Sequence, residues 1–171
     1  MNATPRRRAG ESARKIAHGR AFEELAAPAI RFNFRGVGTS AGRYAEGIGE
    51  TEDALAIVAY GRERWPRAAL WLGGFSFGAA VAIRAAARAD AALLVTVAPA
   101  VGRVNVEDVA MPACPWLIVQ GDADDVVEPA AVLEWAAQRS PAPTVRVLPG
   151  AGHFFHGRLH ELRETVLAFM R

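Results

Sequence analysis

Five residues near the middle of the chain have the types and spacing needed for nucleophilic chemistry. Residues 74–78 read Gly-Phe-Ser-Phe-Gly, a G-x-S-x-G pattern centred on Ser76. They lie between an apolar run typical of a strand and a small-residue segment typical of a helix. A serine held at such a sharp strand-to-helix turn is the arrangement of a nucleophile elbow. The alternative interpretation is an ordinary glycine-rich strand end without chemistry.

Candidate partners for this serine follow it in the chain. A serine hydroxyl is a weak nucleophile until a base takes its proton, and the base needs a group that orients it. Asp122, Asp124 and Asp125 follow one later apolar run, and His153 follows the next. Both loops would leave the carboxyl ends of parallel strands, where such sheets place their sites. Spacing alone leaves the choice among the three aspartates open.

His153 is favoured over the other histidines because it stands in a loop that follows a strand. The alternative for His153 is a loop histidine with no role. Three further histidines lie within or beside predicted helices and are interpreted as surface or core residues: His18, His156 and His160.

Short apolar runs alternate with longer segments of helical periodicity. The predicted strands are 29–34, 69–75, 91–98, 115–120 and 144–148. The predicted helices are 12–26, 45–65, 77–88, 129–139 and 159–170, whereas 101–112 is predicted to be an irregular surface segment. The near-continuous apolar runs suit strands buried on both faces of a parallel sheet. We therefore expect a doubly wound α/β fold with about five strands and helices on both faces.

Composition places further limits on the interpretation. The 171 residues have a formal net charge of +2, and the sequence contains no basic stripe with interleaved aromatics, so we do not expect a nucleic-acid partner. No apolar run approaches the roughly 20 residues of a membrane helix, which predicts a soluble protein with no membrane partner. The single cysteine, Cys114, fits a reducing, cytoplasmic environment and is interpreted as a small buried apolar residue. Residues 1–11 are predicted to be a disordered basic tail, and residues 12–171 a single domain.

Four stretches together resemble a known family. They are RFNFRGVGTSAGRYAEGIGETEDALA, LGGFSFGAAVAIRAA, VQGDADDVVEP and PGAGHFF. The combination resembles the small lid-less α/β hydrolases of bacteria, which are serine hydrolases or esterases related to dienelactone-hydrolase-like and acyl-peptidase-like proteins. The resemblance implies Ser76 as nucleophile, His153 as base and Asp124 as the acid, chosen over its two neighbours. It also implies that 35–40 (RGVGTS) is a structural turn near the site rather than a phosphate loop.

The implied activity is hydrolysis of small soluble esters or related acyl compounds, with no metal or organic cofactor. The Phe77 N–H would bind the oxyanion. The oligomeric state stays open, and a homo-oligomer is one expectation.

One departure from the family pattern concerns the amino-terminal region. In such proteins a strand and a helix precede the segment that reads RFNFRG here, and the loop after that strand donates a second oxyanion N–H. The sequence begins at about that helix, which predicts an α/β-hydrolase fold that lacks its first strands. A different hypothesis is therefore a non-catalytic or impaired α/β-hydrolase remnant with an incomplete oxyanion hole.

Overall fold

The fold is known from a computed structural model that describes residues 28–171. Its helices are α1 (Ile48–Arg64), α2 (Phe77–Ala86), α3 (Pro129–Ala137) and α4 (Leu159–Met170). Its strands are β1 (Trp71–Phe75), β2 (Leu93–Val97), β3 (Trp116–Gly121) and β4 (Thr144–Leu148). The predicted elements from residue 45 onward are thus present, several with ends shortened by two or three residues.

The four strands form one parallel sheet in the order β1-β2-β3-β4. Every residue of β2 and β3 is buried, which explains their near-continuous apolar sequences LLVTV and WLIVQG. Because all strands run in the same direction, the loops that follow β1, β3 and β4 emerge at one edge of the sheet. This edge carries the residues that the sequence singles out.

Helices cover both faces of the sheet. Side chains alternate along a strand, so Leu117 and Val119 of β3 face one side while Trp116 and Ile118 face the other. The first side packs against α4 and the second against α2 and α3. The prediction of an α/β fold with helices on both faces is confirmed.

The prediction of a strand at 29–34 is wrong for the structure described. These residues form no strand, and the sheet has four strands rather than about five. A strand is defined by its hydrogen-bonded neighbour, and no ladder joins this segment to β1 within residues 28–171. Phe32 and Phe34 instead pack against apolar side chains of α1 and α2. The predicted helix 12–26 and tail 1–11 lie outside the described residues.

The segment 101–112 is irregular, as predicted, but it does not simply run over the surface. Val104 and Val106 are 2% and 1% exposed and belong to the core on the side of the sheet that α2 and α3 cover. Arg84 of α2 donates hydrogen bonds to the carbonyl of Asn105 and to the carboxylate of Asp108. The Arg84 guanidinium holds the pKa of Asp108 below its ordinary value. The segment 101–112 is therefore held against helix α2 by apolar packing and by the hydrogen bonds of Arg84.

Candidate active site

Ser76 lies at the turn between β1 and α2 in a backbone conformation that non-glycine residues rarely adopt. Its φ is 53° and its ψ is −116°. Its N–H donates to the Val97 carbonyl at 2.8 Å, and its own carbonyl accepts from Ala100 N–H at 3.2 Å. A Cβ at Gly74 would overlap the backbone of Gly78, so glycine is needed where β1 and α2 pass each other. The sequence pattern G-x-S-x-G therefore has the strained turn that it predicts.

Three side chains meet at the carboxyl edge of the sheet. The Nε2 atom of His153 lies 3.0 Å from the Ser76 hydroxyl oxygen. The Nδ1 atom of His153 lies 2.8 Å from Oδ2 of Asp124. Because Nδ1 faces a carboxylate, it carries the ring proton, which leaves Nε2 as an acceptor for the serine hydroxyl. The structure thus brings together the nucleophile, base and acid candidates in the geometry of proton transfer.

Burial separates Asp124 from the two neighbouring aspartates. Asp124 is 7% exposed, whereas Asp122 and Asp125 are exposed. Asp122 has a different partner, since its Oδ1 accepts the Gly150 N–H at 2.6 Å. Asp125 lies on the surface. Of the three aspartates, Asp124 is thus the one whose carboxylate is directed at His153.

The loops that carry Asp124 and His153 are joined to each other by their backbones. The Ala123 N–H donates to the Ala151 carbonyl at 3.2 Å. A Cβ at Gly121 would overlap that same carbonyl, so this position requires glycine. Sequence reasoning missed this contact, although the Gly-x-x-Asp spacing was a signal for it. This backbone contact holds the loop of Asp124 against the loop of His153.

His153 is held among aromatic rings. It is 3% exposed, and its ring centroid lies 4.9 Å from the centroids of both Phe75 and Phe154. His156 and His160 are exposed, while His18 lies outside the described residues. Packing on two sides restricts rotation of the His153 ring and keeps its two nitrogens directed at their partners.

The Phe77 N–H is next to the serine at the first position of α2. Amides in the first turn of a helix have no acceptor within it, and none is found for this N–H among residues 28–171. The Phe77 ring packs against Phe34 and Tyr44 at centroid distances of 5.7 and 5.6 Å. An unpaired N–H at a helix amino terminus is suited to bind a developing negative charge.

The turn that follows Phe34 has a structural anchor. The Arg35 guanidinium binds the Asp53 carboxylate of α1 with both Nε and Nη2, the latter at 2.6 Å. The ion pair lowers the pKa of Asp53 and raises that of Arg35. Gly36 and Gly38 have φ values of 69° and 65°, as a tight turn requires. With its arginine engaged by Asp53, this segment has the character of a structural loop beside the site.

Cys114 packs at the margin of the core and is partly buried, where desolvation raises the pKa of its thiol. The prediction of a small buried apolar residue is therefore met only in part, because Cys114 is partly rather than fully buried. Within the part of the chain that the structure describes, no three His, Cys, Asp or Glu side chains group as metal ligands would. No helix in the same part is long and apolar enough to cross a bilayer.

Comparisons with known proteins place the chain among hydrolases. XC6422 of Xanthomonas campestris, an α/β serine hydrolase without a lid, is 44% identical, with a TM-score of 0.87 over 91% of this chain and 71% of its own. An α/β serine hydrolase homologue from Coxiella burnetii is 42% identical, with a TM-score of 0.87 over 91% of this chain and 75% of its own. The uncharacterized protein RP471 of Rickettsia prowazekii (strain Madrid E) is 30% identical over 147 residues, which are 80% of this chain. The chain spans 62% of the length of that Rickettsia relative. No model of a known protein family matches the chain.

A parallel sheet flanked by helices, with a serine at the strand-to-helix turn, defines the α/β-hydrolase class. The sequence identities of 44% and 42% to two α/β serine hydrolases narrow the assignment within that class. The chain belongs to the lid-less α/β serine hydrolases.

Proposed function

We propose that this chain is a serine hydrolase that cleaves small soluble carboxylic esters or related acyl compounds. Ser76 is the nucleophile, His153 the general base and acid, and Asp124 the group that orients the imidazole. The observation that carries the proposal is the continuous hydrogen-bonded row from Ser76 through His153 to Asp124, at 3.0 and 2.8 Å. Such a row has the geometry that acyl transfer needs.

The reaction has two halves that use the same groups. In the first, Ser76 Oγ attacks the ester carbonyl while its proton passes to His153 Nε2. The tetrahedral intermediate then collapses, the bond to the alcohol breaks, and His153 gives its proton to the leaving oxygen. In the second half, water attacks the acyl-serine with help from His153, which releases the acid and restores the serine.

Asp124 and Phe77 would stabilise the charges that develop. The Asp124 carboxylate faces Nδ1 and stabilises the imidazolium that forms during each proton transfer. The Phe77 N–H, which has no acceptor in the described part of the chain, would bind the oxyanion. It is the single oxyanion donor identified within residues 28–171, and loss of one such donor typically costs about 100- to 1000-fold in rate.

The experiment that tests this function is covalent labelling with a fluorophosphonate, read by intact mass, beside hydrolysis of short-chain p-nitrophenyl esters. We expect one label per chain and measurable ester hydrolysis. Ser76→Ala should abolish both. Ser40→Ala is the matched control and should leave both unchanged, because within residues 28–171 the Ser40 hydroxyl donates to the Asn33 carbonyl, at 3.4 Å, and to no group of the site.

Failure to label a chain that circular dichroism shows to be folded would contradict the proposal. It would favour the second candidate, a non-catalytic or impaired α/β-hydrolase. The observation in favour of that candidate is the single oxyanion donor identified within residues 28–171.

A further inference from the structure

The Asp124 carboxylate is buried and accepts four hydrogen bonds. Its Oδ1 atom accepts the N–H groups of Val126 and Val127 at 2.9 and 2.8 Å. Its Oδ2 atom accepts from His153 and from the side-chain amide of Gln120, at 2.8 and 3.0 Å. Buried carboxylates remain ionised only when donors compensate for the loss of water. Three of these four donors come from the loop's own backbone and from β3, and they hold the carboxylate independently of His153.

Gln120 is unusual for its place in the fold. It is the one polar side chain with a hydrogen-bonding amide in the fully buried strand β3, and it has no exposed surface. Its Nε2 donates to Asp124 Oδ2 and to the Gly121 carbonyl, at 3.0 and 3.1 Å. Its Oε1 atom has no hydrogen-bond partner in the described part of the chain. A buried amide with an unpaired oxygen destabilises a core, so an apolar residue here would be expected on packing grounds alone.

The carboxylate explains which way the amide faces. Turning the amide over would place Oε1 against the negatively charged Oδ2 and against the Gly121 carbonyl oxygen. The orientation observed gives two hydrogen bonds and leaves one oxygen unpaired, whereas the reverse would give repulsion at both contacts. The orientation of the Gln120 amide is therefore explained by its hydrogen bond to the Asp124 carboxylate, not by packing in the surrounding core.

We propose that Gln120 is a positioning residue for the Asp124–His153 pair. The inference rests on the proposed function and deepens it. Without Gln120, Oδ2 would be held by His153 alone, while Oδ1 would keep the Val126 and Val127 N–H groups, so the Oδ2 side of the carboxylate would be less firmly placed. The amide hydrogen also offsets part of the negative charge that faces the imidazole. Gln120 thus helps to direct Oδ2 at His153 and reduces the negative charge that the imidazole faces.

The test is Gln120→Met, which keeps a similar volume and removes the donor. Labelling by the fluorophosphonate should slow by roughly 10- to 100-fold, as misplacement of a catalytic group commonly does. The acid limb of the labelling rate against pH should move to higher pH, because more negative charge then faces the imidazolium.

Gln120→Glu is the second variant and preserves shape more closely. The introduced carboxyl group would face two acceptors, Asp124 Oδ2 and the Gly121 carbonyl, which favours its protonated form and lets it donate one hydrogen bond to Asp124. Labelling should therefore slow less in Gln120→Glu than in Gln120→Met. One of these two variants in a folded state is sufficient for the measurement.

Thr96→Val is the matched control. Thr96 is also fully buried on a central strand, and its hydroxyl binds the Leu117 carbonyl and the Trp116 indole N–H, away from the site. Thr96→Val should lower stability without changing the pH profile of labelling. A folded Gln120 variant with the wild-type labelling rate and pH profile would overturn the inference. Absence of labelling in the wild-type chain would instead overturn the proposed function.

Discussion

At the scale of single residues, the site depends on contacts that no local pattern specifies. Asp122, Asp124 and Asp125 have the same side chain and nearly the same place in the sequence. Only Asp124 has its carboxylate directed at His153, while Asp122 binds the adjoining loop. The sequence identified Ser76 and His153 from their motif and loop positions. It could not rank the aspartates without the family resemblance, because a carboxylate's direction depends on the path of the folded loop.

The path of the Asp124 loop depends on Gly121, which lies against the Ala151 carbonyl. Gly121→Ala should therefore destabilise the chain. The added methyl would overlap the Ala151 carbonyl, so the two loops must move apart. We expect a loss of about 1–3 kcal/mol in the free energy of unfolding, the range for overpacked sites. Urea denaturation is the measurement. Labelling of Ser76 should slow as well, because Asp124 and His153 separate.

Gly102→Ala is the control for that substitution. A Cβ at Gly102 meets no atom within 4 Å. Its effect should stay within about 1 kcal/mol, and it should leave labelling unchanged. Equal losses in the two variants would show that the approach of Gly121 to Ala151 is not a constraint.

At the scale of elements, the buried strands were the most predictable part of the fold. Strands β2 and β3 are apolar runs bounded by turns, and burial on both faces leaves little else that such runs can form. Residues 29–34 show the limit of this reasoning. Their composition is that of a strand, yet a strand also needs a neighbour, and composition does not say whether one is in reach.

Helix α1 should make the stability of the chain depend on pH, because its Asp53 carboxylate binds the Arg35 guanidinium. The ion pair holds the pKa of Asp53 below its ordinary value, so Asp53 contributes stability at neutral pH. That contribution should disappear as the pH falls from about 4 through the lowered pKa. Asp53→Asn should therefore lower the thermal midpoint at pH 7 and have little effect near pH 2.

Thermal unfolding of both proteins across this pH range is the measurement. Glu63→Gln is a suitable comparison, since Glu63 is an exposed carboxylate of the same helix for which no hydrogen bond or ion pair is found in the described residues. A constant difference between wild type and Asp53→Asn at every pH would contradict an electrostatic origin.

At the scale of the whole molecule, stability should be concentrated in the middle of the sheet. Strands β2 and β3 are buried throughout and have a hydrogen-bonded neighbour on each side, whereas β4 has two exposed residues and, within residues 28–171, one neighbouring strand. Amides that open only by global unfolding exchange most slowly.

Native-state hydrogen exchange should therefore find the slowest amides within 93–97 and 116–121. Those of 144–148 should exchange through openings of lower free energy. Residue-resolved NMR in deuterated buffer measures this directly. Slower exchange in β4 than in β3 would show that cooperativity is organised around α4 and β4 instead of the sheet centre.

The three side chains of the hydrogen-bonded row Ser76–His153–Asp124 come from distant parts of the sequence. Asp124 and His153 are 29 residues apart in sequence, and Ser76 and His153 are 77 apart. The row therefore forms only when β1, β3 and β4 have all assembled. The His153 Nδ1 proton, buried against a carboxylate, should resonate far downfield and exchange slowly with solvent only in that state. Its appearance during refolding would mark completion of the sheet, and no activity is needed to observe it.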